Sequence, residues 1–257
     1  MTDQSTPGDA LAGRVALITG AGRGFGYAIA RAYLDNGADV ALHYRSSGAG
    51  VDELAAYGRR RGRRAVPVRG DLADRDAARD IVGETLDAFG RIDILVNNAG
   101  TMAIGPFAES DEGDWAADIS VNIYGTLRVT RAVLPGMVGG GYGKIVNISS
   151  QLALRPWDRG AVYAGTKGFL VSWTKSLAAE VGPRGVMVNA IGPGSILTDM
   201  NKNVFPDEAS RRAKAAEVPL RRMGDPSDVA GAAVFLASSG SDFITGQMLG
   251  VNGGSQM

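Results

Sequence analysis

Arg14-Val15-Ala16-Leu17-Ile18-Thr19-Gly20-Ala21-Gly22-Arg23-Gly24-Phe25-Gly26 is the stretch on which the fold turns. It opens with a short apolar run, the pattern of a strand buried on both faces. The glycines that follow permit a tight turn and close backbone approach. Positions 27–36 then carry helical spacing and stop at Gly37, where helices often end. Strand, glycine loop and helix in this order are the context a dinucleotide site requires, because a pyrophosphate is favoured at a helix N-terminus. A plain strand-to-helix turn is the competing reading of the glycines alone.

Working outward, apolar runs recur at 39–44, 65–69, 92–96, 144–148, 186–191 and 247–251, separated by helical patterns at 49–61, 74–89, 112–138, 161–181 and 226–237. This alternation predicts an α/β protein: a single-domain, Rossmann-type, doubly wound parallel sheet of about seven strands with helices on both faces. Pro67 inside the third run points to a sheet edge. Residues 1–12 read as a flexible tail and 13–257 as one dinucleotide-binding and catalytic domain. The Gly/Pro-punctuated, charged segment 195–222 suits a substrate lid.

Composition narrows the function classes. Lys plus Arg and Asp plus Glu balance at 27 each, so no overall field favours nucleic acid or a membrane surface. The absence of cysteine excludes disulfides, thiolate metal sites and a cysteine nucleophile, and a single histidine argues against a histidine-based metal centre. The N-terminus is polar, unlike a signal peptide, and no apolar run reaches the roughly 18 residues of a membrane span. The expectation is a cytoplasmic protein. The run Arg59-Arg60-Arg61-Gly62-Arg63-Arg64 reads as the solvated end of a helix, where cations suit the dipole, and His43 as a packed strand residue.

The chemistry concentrates between Ser149 and Lys167. Two hydroxyls, Ser149 and Ser150, close a strand, and Tyr163 and Lys167 stand four residues apart on one helix face. A phenol with an unperturbed pKa of about 10 shuttles protons poorly near neutrality, and a nearby ammonium lowers that value. Taken alone, such a pair is usually just a half-exposed helix face. At the end of the second strand, Tyr44-Arg45-Ser46-Ser47 holds no acid for ribose hydroxyls, whereas Arg45, with Arg23 in the glycine loop, suits a 2′-phosphate. Together they favour NADP(H) over NAD(H).

These residues resemble one family. Thr19–Gly26 resembles the TGxxxGxG loop of short-chain dehydrogenase/reductases, and Asn97-Asn98-Ala99-Gly100 its NNAG segment. Ser150 with Tyr163-Ala164-Gly165-Thr166-Lys167 is similar to its Ser and YxxxK signature, although Gly165-Thr166 replaces the commoner Ala-Ser. Asn122 falls where the family keeps a catalytic asparagine. Pro193-Gly194 followed by Thr198 resembles its PGxxxT stretch, and the C-terminal segments resemble the 3-oxoacyl-acyl-carrier-protein reductase branch.

The resemblance implies roles. Tyr163 is the general acid in reduction, Lys167 lowers its pKa and holds nicotinamide ribose hydroxyls, Ser150 donates to the developing alkoxide, and Asn122 anchors a water. Gly20, Gly24 and Gly26 lie at the pyrophosphate. Asp71 lies at the adenine, Asn98 at the adenosine ribose, and Ile196 and Thr198 at the nicotinamide carboxamide and phosphates, with Phe25, Leu72, Ala99, Gly100, Pro193 and Gly194 as further cofactor contacts. Asp71 alone reads as a loop or helix-cap acid. Met102, Gln151, Arg155 and Trp157 are substrate-pocket candidates, with surface packing an equal reading for Arg155 and Trp157. The implied reaction is hydride transfer between NADP(H) and a ketone or secondary alcohol. A 3-oxoacyl thioester linked to acyl-carrier protein or CoA is the first substrate choice, and a sugar, polyol or other small alcohol the alternative. A homotetramer is implied. A non-catalytic dinucleotide sensor is disfavoured, because Ser150, Tyr163 and Lys167 are all present.

Overall fold

Alternate residues of each central strand serve opposite faces of one sheet. In the computed structural model, which describes residues 8–46 and 48–256, the elements follow one another as strand and helix. They are β1 (Val15–Ile18), α1 (Gly24–Asp35), β2 (Asp39–Tyr44), α2 (Gly48–Arg60), β3 (Ala65–Arg69), α3 (Ala77–Phe89) and β4 (Ile94–Asn97). The chain continues through α4 (Glu112–Asp118), α5 (Thr126–Gly140), β5 (Gly143–Ile148), α6 (Ala161–Val181), β6 (Val186–Pro193), α7 (Glu208–Glu217), α8 (Pro226–Ala237) and β7 (Met248–Val251). The seven strands are parallel in the order β3-β2-β1-β4-β5-β6-β7. Pro67 sits on the edge strand, where a missing N–H is tolerated.

Ala16, Ile18, Val40, Leu42, Val96 and Ile148 pack with α1 and α8 on one side, while Leu17, Ala41, Leu95, Ile145 and Val188 pack with α3, α5 and α6 on the other. Two buried faces explain why the strands are apolar runs without polar alternation. From β1 the chain winds outward to β3, then returns to β4 on β1's other side. That reversal opens a crevice beyond the carboxyl ends of β1 and β4, the place where open α/β sheets bind ligands.

Three expectations change. Residues 1–7 of the expected tail lie outside the described residues, but the chain is anchored before residue 12. Leu11 is 1% exposed in the core and its N–H donates to the Asn36 carbonyl at 2.8 Å. The helix expected over 112–138 is interrupted by a π-helical stretch at Ile119–Gly125. The wider turn brings Asp118 and Asn122 to the same short loop, Thr101–Ala103, which both side chains hold by hydrogen bonds. Finally, the segment 195–222 is not merely loop. It contains α7, capped by Asp207, whose carboxylate accepts from the Ser210 N–H at 2.7 Å.

Candidate active site

The glycine loop is built for close approach. Gly20 has φ 69° and Gly24 φ 56°, both left-handed, and a Cβ on Gly26 would overlap the Gly20 carbonyl oxygen and stand 2.5 Å from Asn98 Nδ2. Gly26 thus shapes the loop from behind. The first turn of α1 holds no acid, and its N-cap, Arg23, makes no side-chain cap bond. The helix terminus is left free for an anion. Asn98 Nδ2 donates to the Thr19 and Gly20 carbonyls at 2.8 and 3.1 Å, so this side chain fixes the loop as well as lining it.

Beyond the loop lies a cleft of about 390 Å³. Of the residues expected at a dinucleotide, Gly20, Arg23, Gly24, Phe25, Arg45, Asp71, Leu72, Asn98, Ala99, Gly100, Tyr163, Lys167 and Thr198 line it. Asp71 Oδ1 accepts from the Ala73 N–H at 3.0 Å, and its other oxygen lies 3.8 Å from Arg45 Nη1. Pro193, Gly194 and Ile196 line the adjoining cleft instead. The reason is register: β5 and β6 run parallel with Ile148 beside Ile191, so β6 ends next to Ser149 and Ser150.

That second cleft, of about 380 Å³, is walled by Ser150, Gln151, Arg155 and Trp157 on one side and by residues of 193–217 on the other. Tyr163 belongs to both clefts, as do Phe25, Met102, Ser149, Thr198 and Met200. Tyr163 is therefore the titratable group at the junction. It is 8% exposed, and burial pushes its phenol up to about 12, with the Ser150 hydrogen bond acting in the opposite direction. The sequence expectation was a value lowered by Lys167; instead burial, aided by the Asp118 charge, raises it, and the lowering influence comes from Ser150. Lys167 Nζ donates to the Ile148 carbonyl at 2.9 Å, 5.6 Å from the centre of the Tyr163 ring. Burial pulls this amine down to about 8, against the attraction of Asp118.

The two serines divide their work. Ser149 Oγ donates to the Lys167 carbonyl at 2.8 Å, whereas Ser150 Oγ accepts from the Leu152 N–H at 3.1 Å and faces the phenol. Asn122, 1% exposed, is a clamp: Oδ1 accepts from the Thr101 N–H at 2.8 Å, and Nδ2 donates to the Thr101 carbonyl and to Thr166 Oγ1. Thr166 Oγ1 in turn donates to the Tyr163 carbonyl at 2.8 Å.

The sequence motifs do not mark Asp118, Lys214 or Glu217, and they give His43 only as a packed strand residue. Asp118, 1% exposed, accepts from Thr101 Oγ1 at 2.6 Å and from the Ala103 N–H at 3.1 Å, and its charge acts on both Tyr163 and Lys167. His43 accepts from the Gly20 N–H on Nδ1 at 3.1 Å, while Nε2 lies 3.1 Å from the Gly70 carbonyl. A carbonyl only accepts, so Nε2 carries the proton; burial holds the ring neutral by lowering its pKa to about 4. Lys214 and Glu217 reach the second cleft from α7, a helix hidden within an apparent loop.

A dinucleotide crevice meeting a substrate cleft at a buried Tyr/Ser/Lys group defines a nicotinamide-dependent oxidoreductase of the alcohol/ketone type. The chain belongs to the short-chain dehydrogenase/reductase family. The family model described as enoyl-(acyl carrier protein) reductase matches residues 20–256. The chain is 39% identical to the (2S)-[(R)-hydroxy(phenyl)methyl]succinyl-CoA dehydrogenase subunit BbsD of Thauera aromatica, covering 95% of this chain and 97% of that one. It is 37% identical to the 3-oxoacyl-acyl-carrier-protein reductase of Vibrio cholerae, over 96% and 99% of the two chains. Among solved structures, a gluconate 5-dehydrogenase from Burkholderia cenocepacia, in complex with NADP and tartrate, superposes with a TM-score of 0.90 at 36% identity, over 96% and 97% of the chains. Among the described residues no helix is long and apolar enough to cross a membrane, and no group of three His, Cys, Asp or Glu side chains is placed to hold a metal.

Proposed function

We propose that the protein interconverts a ketone and a secondary alcohol with NADP(H), Tyr163 moving the proton. The observation that carries this reading is the place of Tyr163 at the junction of the two clefts, with the Ser150 hydroxyl against its phenol. The dinucleotide, held by the Gly20–Gly26 loop, the α1 terminus and Lys167, supplies or accepts the hydride. In the reduction direction Tyr163 Oη gives its proton to the carbonyl oxygen, and Ser150 Oγ donates a hydrogen bond to the same oxygen as negative charge develops. The phenol, protonated up to about pH 12, is already in the form that reduction needs. Lys167 offers its remaining N–H groups to the cofactor cleft and steadies the phenolate left behind.

NADP(H) rather than NAD(H) is favoured by Arg23 and Arg45 in the cleft wall and by the lack of an acid at the end of β2. Arg45 is free to turn to a 2′-phosphate, since its partner Asp71 is 3.8 Å away and both are well exposed. Two substrate readings stand within this reaction. Relatives that act on acyl-carrier-protein- or CoA-linked substrates support a 3-oxoacyl thioester, and the gluconate dehydrogenase neighbour supports a small polyol. Association of several copies is supported by apolar side chains exposed in the C-terminal part of the chain, Phe235, Phe243 and Leu249.

Consumption of NADPH and NADH with a panel of ketones, run on the wild type and Arg45→Asp, tests the reading. NADPH preference that collapses in the variant is expected. A wild-type preference for NADH would overturn the cofactor assignment.

A further inference from the structure

The second cleft carries two features that ketone reduction alone does not use. Gln151 is 6% exposed, lines the cleft directly after Ser150, and its Oε1 has no hydrogen-bond partner. A buried acceptor without a donor is costly, and at the wall of a cleft a donor on a bound ligand would offset that cost. The matching ligand group is a donor, and the adjacency of Gln151 to Ser150 puts it toward the reacting end of the cleft. The second feature is charge. Arg155, Lys214 and Glu217 all line this cleft. Lys214 Nζ donates to Glu217 Oε2 at 2.6 Å, and this contact holds the Glu217 carboxyl below its ordinary value. That pair cancels. Arg155 stands half-buried, with no carboxylate at ion-pair distance among the described residues; its charge acts on Glu217 at longer range, and the three side chains together leave the cleft one positive charge.

We propose that the substrate is a small hydroxylated carboxylate, an aldonate or its ketone. Its carboxylate meets Arg155, and the hydroxyl beside its reacting carbon donates to Gln151 Oε1. The inference rests on the ketone/alcohol reading of the same site and gives it a substrate class. A 3-oxoacyl thioester fits less well, because the carbons flanking its ketone bear only hydrogen and leave Oε1 unmatched. A neutral sugar satisfies Gln151 but leaves Arg155 without an anion. A guanidinium can hold a carboxylate through two parallel hydrogen bonds, which also fixes which carbon reaches Tyr163.

Binding to the NADP⁺-loaded protein, followed by thermal shift and titration, tests this without relying on turnover. Three six-carbon probes separate the features: gluconate carries hydroxyls and carboxylate, sorbitol only hydroxyls, and hexanoate only carboxylate. Gluconate is expected to bind at least about tenfold more tightly than either partial probe. Arg155→Leu should erase its advantage over sorbitol, and Gln151→Leu its advantage over hexanoate. Equal binding of the three, or an unchanged order in both variants, overturns the proposal. NADPH consumption with acetoacetyl thioester and with neutral ketoses, measured alongside, reports separately on the reaction. Turnover there without gluconate selectivity leaves the ketone reductase reading standing and removes the substrate class.

Discussion

Lys167 is the residue at which function and stability part company, and Lys167→Met exposes the conflict. In the folded protein burial draws the amine from an ordinary 10.5 down to about 8. At about 1.4 kcal/mol per pH unit, holding it charged at neutral pH costs the fold roughly 3 kcal/mol. Methionine has a similar length and no charge. Its substitution removes that cost but leaves the Ile148 carbonyl without its 2.9 Å donor, a penalty of about 1–2 kcal/mol. The net expectation at pH 7 is a variant more stable than the wild type by roughly 1–2 kcal/mol and without turnover.

The pH dependence carries the sign. Below pH 8 both folded and unfolded wild type hold the proton, and the gap between the proteins is constant. Between about 8 and 10.5 the folded amine loses its proton while the unfolded chain keeps it, so wild-type stability rises with pH relative to the variant. Urea unfolding of both proteins at pH 7.5, 8.5 and 9.5 should show their difference shift by about 2 kcal/mol in favour of the wild type. A difference that stays flat across this range refutes the reasoning.

Two further outcomes follow from the same contacts. Gly26→Ala drives a Cβ into the Gly20 carbonyl and against Asn98; overpacking of this kind costs about 1–3 kcal/mol, with NADPH affinity, read by nucleotide fluorescence, falling at least about tenfold. Asp118→Asn removes a negative charge that favours protonation of both Tyr163 and Lys167, so the basic limb of the pH profile for ketone reduction should move to lower pH. An unmoved limb would show that Asp118 only holds the Thr101–Ala103 loop.

Much of the frame was legible because it rests on local signals. Apolar runs of strand length, with helical spacing between them, gave the alternating order of seven strands, and Pro67 marked the edge. The glycine loop announced its turn through residues whose left-handed φ only glycine adopts cheaply. What escaped depends on tertiary contact. The π-helical break at Ile119–Gly125 follows from where Asp118 and Asn122 find partners, and periodicity does not record that. The neutral state of His43 comes from burial between two loops far apart in sequence. The lowered phenol pKa expected from Tyr163/Lys167 spacing ignored desolvation, which spacing does not reveal. Helix α7 is different, for Asp207-Glu208-Ala209-Ser210 is an N-cap signal that local reading can find.

The central claim is that Tyr163 transfers the proton at the meeting of the two clefts. Its most direct test compares wild type and Tyr163→Phe in two assays on the same samples: NADPH binding by fluorescence titration, and NADPH-dependent ketone reduction. The phenyl ring keeps the cleft wall and loses only the hydroxyl, so binding is expected within about threefold and turnover lower by about 10²–10⁴-fold. Turnover in the variant close to that of the wild type would contradict the account.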